Sequence, residues 1–154
     1  MIPERMLYEQ INEAIHQPSG NRDAQVARLA TRLYWAAQWR GQLGRLRSLV
    51  TGHKAELLDL ATFKERYQMG ARHAIGIQTV PIAEIRGSEG RSQDFDADFN
   101  PLNTRTAGRW LAIAQACYRY ESLPPVALIR IGNSYFVRDG HHRLSVFRAM
   151  GQRY

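Results

Sequence analysis

The sequence predicts an α+β protein in which a helical N-terminal half precedes a mixed α/β half. Before residue 78, glycine and proline are spaced widely enough for helices, and apolar residues recur at three- and four-residue steps. After residue 78, short apolar runs are bounded by Gly, Pro, Asn and Asp, which is typical of strands joined by turns. These patterns divide the chain into a helical arm, residues 1–78, and an α/β domain, residues 79–154.

Three helices are predicted in the arm, because apolar residues recur at helical spacing in three stretches that turn-forming residues close. Within the longest stretch, Gly41 and Gly44 weaken the later turns by about 1 kcal/mol each relative to alanine. The predicted helices cover residues 6–15, residues 21–51 and residues 54–69.

The elements of the α/β domain follow from its apolar runs and turn residues. Gly132 and Asn133 lie between two apolar runs and predict a tight β-hairpin. Thr104 or Thr106 is a candidate N-cap for the helix before this hairpin. In chain order we expect a strand at 79–85, a glycine-bearing loop at 86–91, an acidic and aromatic connector at 94–99, a helix ending before residue 123, strands at 126–131 and 135–137, and a helix at 143–150.

The chain is strongly basic, with 21 Lys and Arg residues against 14 Asp and Glu and a formal net charge of +7. Lys54 and Lys64 are its only lysines, so the basic charge is almost all arginine. A GC-rich genome favours arginine codons and would explain this bias. The bias also suits a polyanionic partner, a nucleotide or nucleic acid, because the guanidinium is a rigid fork that matches phosphate.

Other classes of protein are excluded by simple counts. The single cysteine, Cys117, excludes a disulfide framework and a Cys-rich zinc site within the chain. No stretch approaches the ~18 uninterrupted apolar residues of a membrane-spanning helix. The N-terminus lacks the apolar region of a secretory signal. We therefore expect a cytoplasmic protein without a transmembrane segment.

An arginine-rich stretch with interleaved aromatic residues marks the arm. Residues 22–50 hold six arginines and one acid, Asp23, and they include Tyr34, Trp35 and Trp39. This pattern suits a nucleic-acid face, with arginine on phosphates and aromatic rings on bases. It also suits a basic helix on a membrane surface or a helix that docks on a protein. We expect these residues to form a docking helix outside the core of the α/β domain.

The stretch RDGHHR, residues 138–143, lies between a predicted strand and a predicted helix. A glycine at such a turn lets the backbone turn sharply and lets a ligand approach. The free N–H groups at the start of the following helix attract anions. The stretch therefore predicts a phosphate site formed by Arg138, Gly140, His141, His142 and Arg143.

Two other interpretations of this stretch stay open. Asp139, His141 and His142 are residue types that ligate zinc and similar ions. Adjacent histidines at a turn can diverge, however, and no further ligand is obvious nearby in the sequence. A purely structural interpretation has Asp139 as the cap of the helix, one histidine packed in the core and the other in solvent.

Residues 79–151 resemble the ParB/sulfiredoxin-like domain family, and in part a bacterial subgroup of ParB-like proteins. The resemblance to the family lies in residues 80–85, residues 123–126 and, above all, residues 135–146. The resemblance to the subgroup lies in residues 87–91 with residues 94–95. It implies a small sheet that carries a nucleotide, with the phosphates on the turn before the motif helix.

The match to each branch of this family is partial. The ParB branch, which binds CTP, has Gly-Glu-Arg-Arg at the turn, and only Gly140 and Arg143 match it. The sulfiredoxin branch has Gly-Cys-His-Arg, which Gly140, His142 and Arg143 match. Because His141 replaces the catalytic cysteine, sulfiredoxin activity is not expected.

The resemblance implies a protein that binds nucleotide phosphates or nucleic acid, with a nucleoside triphosphate and Mg²⁺ as cofactor. Arg91 is a further phosphate-binding candidate, because the family's sheet brings residues 87–91 beside the motif turn. One alternative is an accessory subunit with a vestigial site that docks through residues 22–50. A second alternative is a ParB-like nuclease or phosphotransferase. Its candidate catalytic residues are Asp139, His141 and Glu84, and Asp139 is also a candidate metal ligand. Asp94 and Asp96 are further acids available for such chemistry.

The resemblance is incomplete beyond the motif helix. The family usually adds a strand there, and ParB proteins add an Asn/Gln/Arg motif for CTP hydrolysis and a helix-turn-helix domain, none of which precedes Tyr154. We expect the natural protein to continue past Tyr154, and we do not expect chromosome partition itself.

Overall fold

A computed structural model describes residues 19–51, 57–66 and 73–154, in which helices pack on a four-stranded mixed sheet. The predicted α+β class is confirmed. The helix predicted at residues 6–15 lies outside the described residues. Within the described ranges, no helix is both long enough and apolar enough to cross a membrane.

Helix α1, Ser19–Thr51, is one continuous helix of 33 residues. Gly41 and Gly44 do not interrupt it, and Gly41 has a packing role. A Cβ placed on Gly41 would lie 3.1 Å from the backbone oxygen of Pro101. The missing side chain therefore lets the loop around Pro101 lie directly against the helix.

The third predicted helix is wrong in its first part. The chain forms a short strand, β1, Leu58–Asp59, and then helix α2, Leu60–Arg66. The ends of the predicted range, residues 54–56 and 67–69, lie outside the described residues. Strand β1 exists because Leu58 pairs in parallel with Gly87 of the sheet, and this tertiary pairing overrides the helical spacing of the apolar residues.

The strand predicted at residues 79–85 is displaced towards the C-terminus. Residues Ile82–Glu84 form a 3₁₀ turn, and strand β2 follows as Ile85–Ser88. Pro81 fixes the backbone before this turn at φ −60°, and its carbonyl accepts a hydrogen bond from the N–H of Glu84 at 3.0 Å. The predicted loop at 86–91 therefore contributes its first three residues to a strand.

The remaining elements lie close to their predicted positions. Strands β3 and β4 form the predicted hairpin, with Gly132 at φ +58° in its turn. Thr106 occupies the N-cap position of the preceding helix, but its side chain makes no capping hydrogen bond. The bounds are α3, Ala107–Tyr118; β3, Ala127–Ile131; β4, Ser134–Asp139; and α4, His141–Ala149.

The sheet has the strand order β1-β2-β4-β3, in which β1, β2 and β4 are parallel and β3 is antiparallel to β4. Two apolar clusters form the core, and α4 contributes to both. One packs around the sheet: Leu57, Ile82, Ile85, Phe95, Phe99, Val137 and Leu144. The other joins α1, α3 and α4: Ala30, Tyr34, Ala37, Trp110, Ala114 and Val146.

The expectation that residues 22–50 lie outside the core is wrong for the first half of α1. Tyr34 is 2% exposed, and its ring lies edge-on to Trp110 with the centroids 5.3 Å apart. The indole N–H of Trp110 in turn donates to Ser145 Oγ on α4 at 2.8 Å. Helix α1 therefore holds α3, and α3 holds α4, from the side opposite the sheet.

Candidate functional site

The predicted phosphate site lies where two parallel strands end side by side. Ser88, the last residue of β2, pairs with Val137 of β4, and β4 leads through Gly140 into α4. Because the carboxyl ends of parallel strands meet at one edge of a sheet, this arrangement brings Ser88 against the first residue of α4. Ser88 Oγ and His141 Nε2 are 2.7 Å apart and buried.

The turn itself depends on Gly140, as predicted. Gly140 has φ +92°, a conformation that favours glycine, and a Cβ there would lie 2.8 Å from Nη2 of Arg143. The Arg143 guanidinium folds back over this glycine and donates to the carbonyl oxygen of Pro124 and to Asp139 Oδ2, each at 2.7 Å. Arg143 therefore braces the turn.

Asp139 does not cap α4, which corrects the structural interpretation of this residue. The N-cap position belongs to Gly140, and no side chain caps the helix. The first hydrogen bond within the helix runs from the N–H of Leu144 to the carbonyl of Gly140, at 2.9 Å. The N–H groups before Leu144 therefore have no acceptor within the helix, and they carry the partial positive charge of its start.

His141 is buried and held on two sides. Its Nε2 shares a hydrogen bond with Ser88 Oγ, which also accepts from the backbone N–H of Arg91 at 3.1 Å. The ring stacks on Phe95 at an angle of 14°. Burial, and then the positive charge of Arg91, lower the pKa of His141 to about 4. The ring is therefore neutral at pH 7 and fixed in orientation.

His142 is buried in the same place but lacks a hydrogen-bond partner. The residue is 6% exposed, and neither Nδ1 nor Nε2 finds a partner in the described part of the chain. Its ring lies edge-on to Phe95, with the centroids 5.3 Å apart. Burial, followed by the charges of Arg91 and Arg109, lowers its pKa. An unsatisfied buried polar group costs about 1–3 kcal/mol, so this ring calls for an explanation.

The loop that carries Phe95 is built around two carboxylates. Asp96 is buried and accepts hydrogen bonds from the N–H groups of Asp98 and Asn100, and burial raises its pKa. Asp94 accepts from Asn103 Nδ2 at 2.9 Å, while Oδ1 of that amide is buried and has no partner among the described residues. Asp96 thus shapes the loop, and it is not an available acid.

The predicted loop beside the motif turn is confirmed in position. The N–H of Glu89 donates to the carbonyl of Val137 at 2.8 Å. Arg91 is exposed, lies 3.3 Å from Asp94, and is close enough to lower the pKa of both histidines. Its role as a phosphate clamp stays a prediction.

The other predicted residues are less close to the cluster. Arg138 is exposed and lies 3.7 Å from Glu89 Oε2. Glu84 precedes Ile85, which pairs with Tyr135 near the start of β4, so it lies at the opposite end of β2 from Ser88. The structure therefore brings Arg91 to the histidines but does not bring Glu84 there.

Sequence reasoning missed three residues that shape this cluster, namely Ser88, Phe95 and Asn103. Ser88 appears in the sequence as one polar residue of a glycine-bearing loop. Ser88 could have been recognised as a site residue only from its position at the end of a strand parallel to β4. The predicted strand ended three residues before Ser88. For Phe95 and Asn103 the sequence carries no signal beyond apolarity and polarity.

Among residues 19–51, 57–66 and 73–154, no group of three or more His, Cys, Asp or Glu side chains is arranged to hold a metal ion. Comparison of the chain with protein-family models, with curated proteins and with solved structures found no match. The resemblance to the ParB/sulfiredoxin-like family therefore stays a prediction from the motif.

Proposed function

We propose that the chain binds the phosphate group of a nucleotide or of nucleic acid at the first turn of α4. One observation carries this proposal: His142, at that turn, is buried, and neither ring nitrogen has a hydrogen-bond partner among the described residues. A phosphate oxygen that accepts the ring N–H would satisfy a donor that the folded chain leaves unused.

The charges and dipoles around the turn support an anion. The uncapped start of α4 presents free N–H groups. Arg91 and Arg109 act on His142 with positive charge, against the negative charge of Asp94. The negative charge of a bound phosphate would offset the positive charge of Arg91 and Arg109 and so raise the pKa of His142. A protonated His142 would form a stronger hydrogen bond to the phosphate.

The residues fit the phosphates better than they fit the metal of a nucleoside triphosphate with Mg²⁺. Gly140, His142 and Arg91 have conformations or donors suited to phosphate. Arg143 retains some donors but already uses two in bracing the turn. Asp139, the candidate metal ligand, forms an ion pair with Arg143 at 2.7 Å. Mg²⁺ would arrive bound to the nucleotide. We also propose a cytoplasmic location, because nucleotides are abundant there.

Calorimetric titration of the full chain tests this function. The probes are CTP, ATP and GTP with and without Mg²⁺, and a short single-stranded DNA. We expect Arg91→Ala to weaken binding by about tenfold, the loss of one charge-assisted hydrogen bond. Arg130→Ala is the matched control, because Arg130 pairs with Tyr135 at the other end of β4, and it should change binding less than about twofold.

Two outcomes would replace the proposal. If nothing binds below about 1 mM, the site is vestigial and the accessory-subunit interpretation takes its place. If the probes are cleaved, chromatography of the products would reveal a nuclease or phosphotransferase. Binding of DNA that falls steeply with salt would identify nucleic acid as the ligand, because phosphate contacts release counterions.

A further inference from the structure

The second half of α1 exposes large apolar side chains on the side facing away from the core. Trp39 is 65% exposed, Leu43 56%, Leu46 60% and Val50 88%. The opposite side of the same helix is buried against α3 and the loop around Pro101. This apolar surface extends over about three helical turns.

Seven exposed residues of α1 follow a heptad spacing, and the exposed Trp35 and Leu49 lie beside them. Steps of three and four residues alternate along the helix without interruption, which is the 3.5-residue period that packs one helix along another. Binding to a flat bilayer surface would not require this 3.5-residue period. We call these exposed residues the seam: Leu29, Arg32, Ala36, Trp39, Leu43, Leu46 and Val50.

The charge beside the seam is entirely positive. Arg28 and Arg40 are exposed at positions that flank a heptad seam, and Arg32 lies within it. The only acid of α1, Asp23, pairs with Arg119, the residue that follows α3, at 2.8 Å. The outward side of α1 therefore offers arginines without carboxylates.

We propose that the seam docks an amphipathic α-helix of a partner protein that carries Asp or Glu beside its apolar stripe. The apolar positions would interdigitate with the seam, and the partner's carboxylates would meet Arg28, Arg32 and Arg40. A second copy of the chain would instead add arginines to arginines. Nucleic acid has no counterpart for Leu43 and Val50. This inference does not depend on the phosphate site.

A designed helix serves as the probe for this surface. It is a fluorescent three-heptad peptide with Leu and Ile at the core positions and Glu at the flanking positions. Its matched partner carries Lys in place of Glu. We expect the acidic peptide to bind the full chain at micromolar concentration, and the basic peptide to bind at least about tenfold more weakly.

Two charge-matched variants locate the contact. Leu46→Glu adds a negative charge in the seam and should weaken binding of the acidic peptide at least about tenfold. Thr31→Glu adds the same charge at an exposed position off the seam and should change binding less than about threefold. Circular dichroism checks that both variants melt like the wild type.

Four results would overturn the inference. These are equal binding of both peptides, loss of binding in Thr31→Glu as large as in Leu46→Glu, concentration-dependent dimerisation of the chain alone that Leu46→Glu abolishes, and stronger binding to vesicles of anionic lipid than to the acidic peptide.

Discussion

In the first turn of α4, three consecutive side chains have three different surroundings. Arg143 is bonded to Asp139 and Pro124, His141 is bonded to Ser88, and His142 is bonded to nothing in the described chain. Two of the three thus hold the turn in place. The third is the residue that a ligand would satisfy.

Gly140→Ala should destabilise the fold by about 1–3 kcal/mol, because a side chain at φ +92° is strained and would meet the Arg143 guanidinium. Urea unfolding measures the change. Gly108→Ala is the control: this glycine lies in α3, and a Cβ there meets nothing within 4 Å. The control should gain about 0.5–1 kcal/mol, and a loss equal to that of Gly140→Ala would contradict this reasoning.

His142→Leu should leave stability unchanged or raise it, because it removes two buried polar atoms that have no partner. Thermal unfolding at pH 7 measures this. Trp110→Phe provides the contrast: it also removes a ring N–H, but that N–H bonds Ser145 Oγ, so it should cost about 1–2 kcal/mol. Equal destabilisation by both substitutions would mean that His142 has a partner after all.

At the scale of elements, α1 divides into a side that belongs to the core and a side that does not. Tyr34 packs on Trp110, whereas Trp39 is mostly exposed. The buried side continues to Gly41, where the loop around Pro101 lies directly against the helix.

Tyr34→Ala should lower the free energy of unfolding by about 3 kcal/mol, because it opens a cavity beside Trp110. Trp39→Ala should change it by less than about 0.5 kcal/mol. Guanidinium unfolding of the two variants provides the comparison. A large effect of Trp39→Ala would show that the exposed side of α1 is also part of the folded core.

The elements that the sequence predicts well are those with local signals. The β3–β4 hairpin follows from its Gly132 turn, and α3 and α4 follow from helical spacing. Strand β1 could not be predicted, because two residues become a strand only by pairing with β2. The sharp turn at Gly140 was predictable from its glycine, between a predicted strand and a predicted helix. The contact of this turn with Ser88 was not predictable, because it depends on the parallel pairing of β2 with β4.

At the scale of the whole molecule, the two histidines lie at the start of α4 against Phe95, which belongs to the apolar cluster around the sheet. The pKa of His141 is about 4 in the fold, against 6.5 for an ordinary histidine. The unfolded chain therefore binds a proton more readily between these values, and acid favours unfolding. This contribution is fully present above pH 6.5 and is lost as the pH falls towards 4.

We expect the wild type to lose up to about 3 kcal/mol of stability from His141 between pH 6.5 and 4. His142 adds to the loss, since its pKa is also lowered, whereas Asp96 opposes it, since its pKa is raised. His141→Gln should flatten the profile over this interval. Urea unfolding at several pH values measures both proteins, and parallel profiles would contradict the assignment to His141.

The ring nitrogens of His142 report directly on whether a phosphate binds at the first turn of α4. Nuclear magnetic resonance of ¹⁵N-histidine-labelled protein follows these nitrogens while CTP, ATP and GTP are added in turn with Mg²⁺, and His142→Leu identifies the signal. We predict a saturable shift of the His142 nitrogens with at least one nucleotide, and none for the exposed His73. Unchanged His142 signals at about 1 mM of each nucleotide would contradict the account.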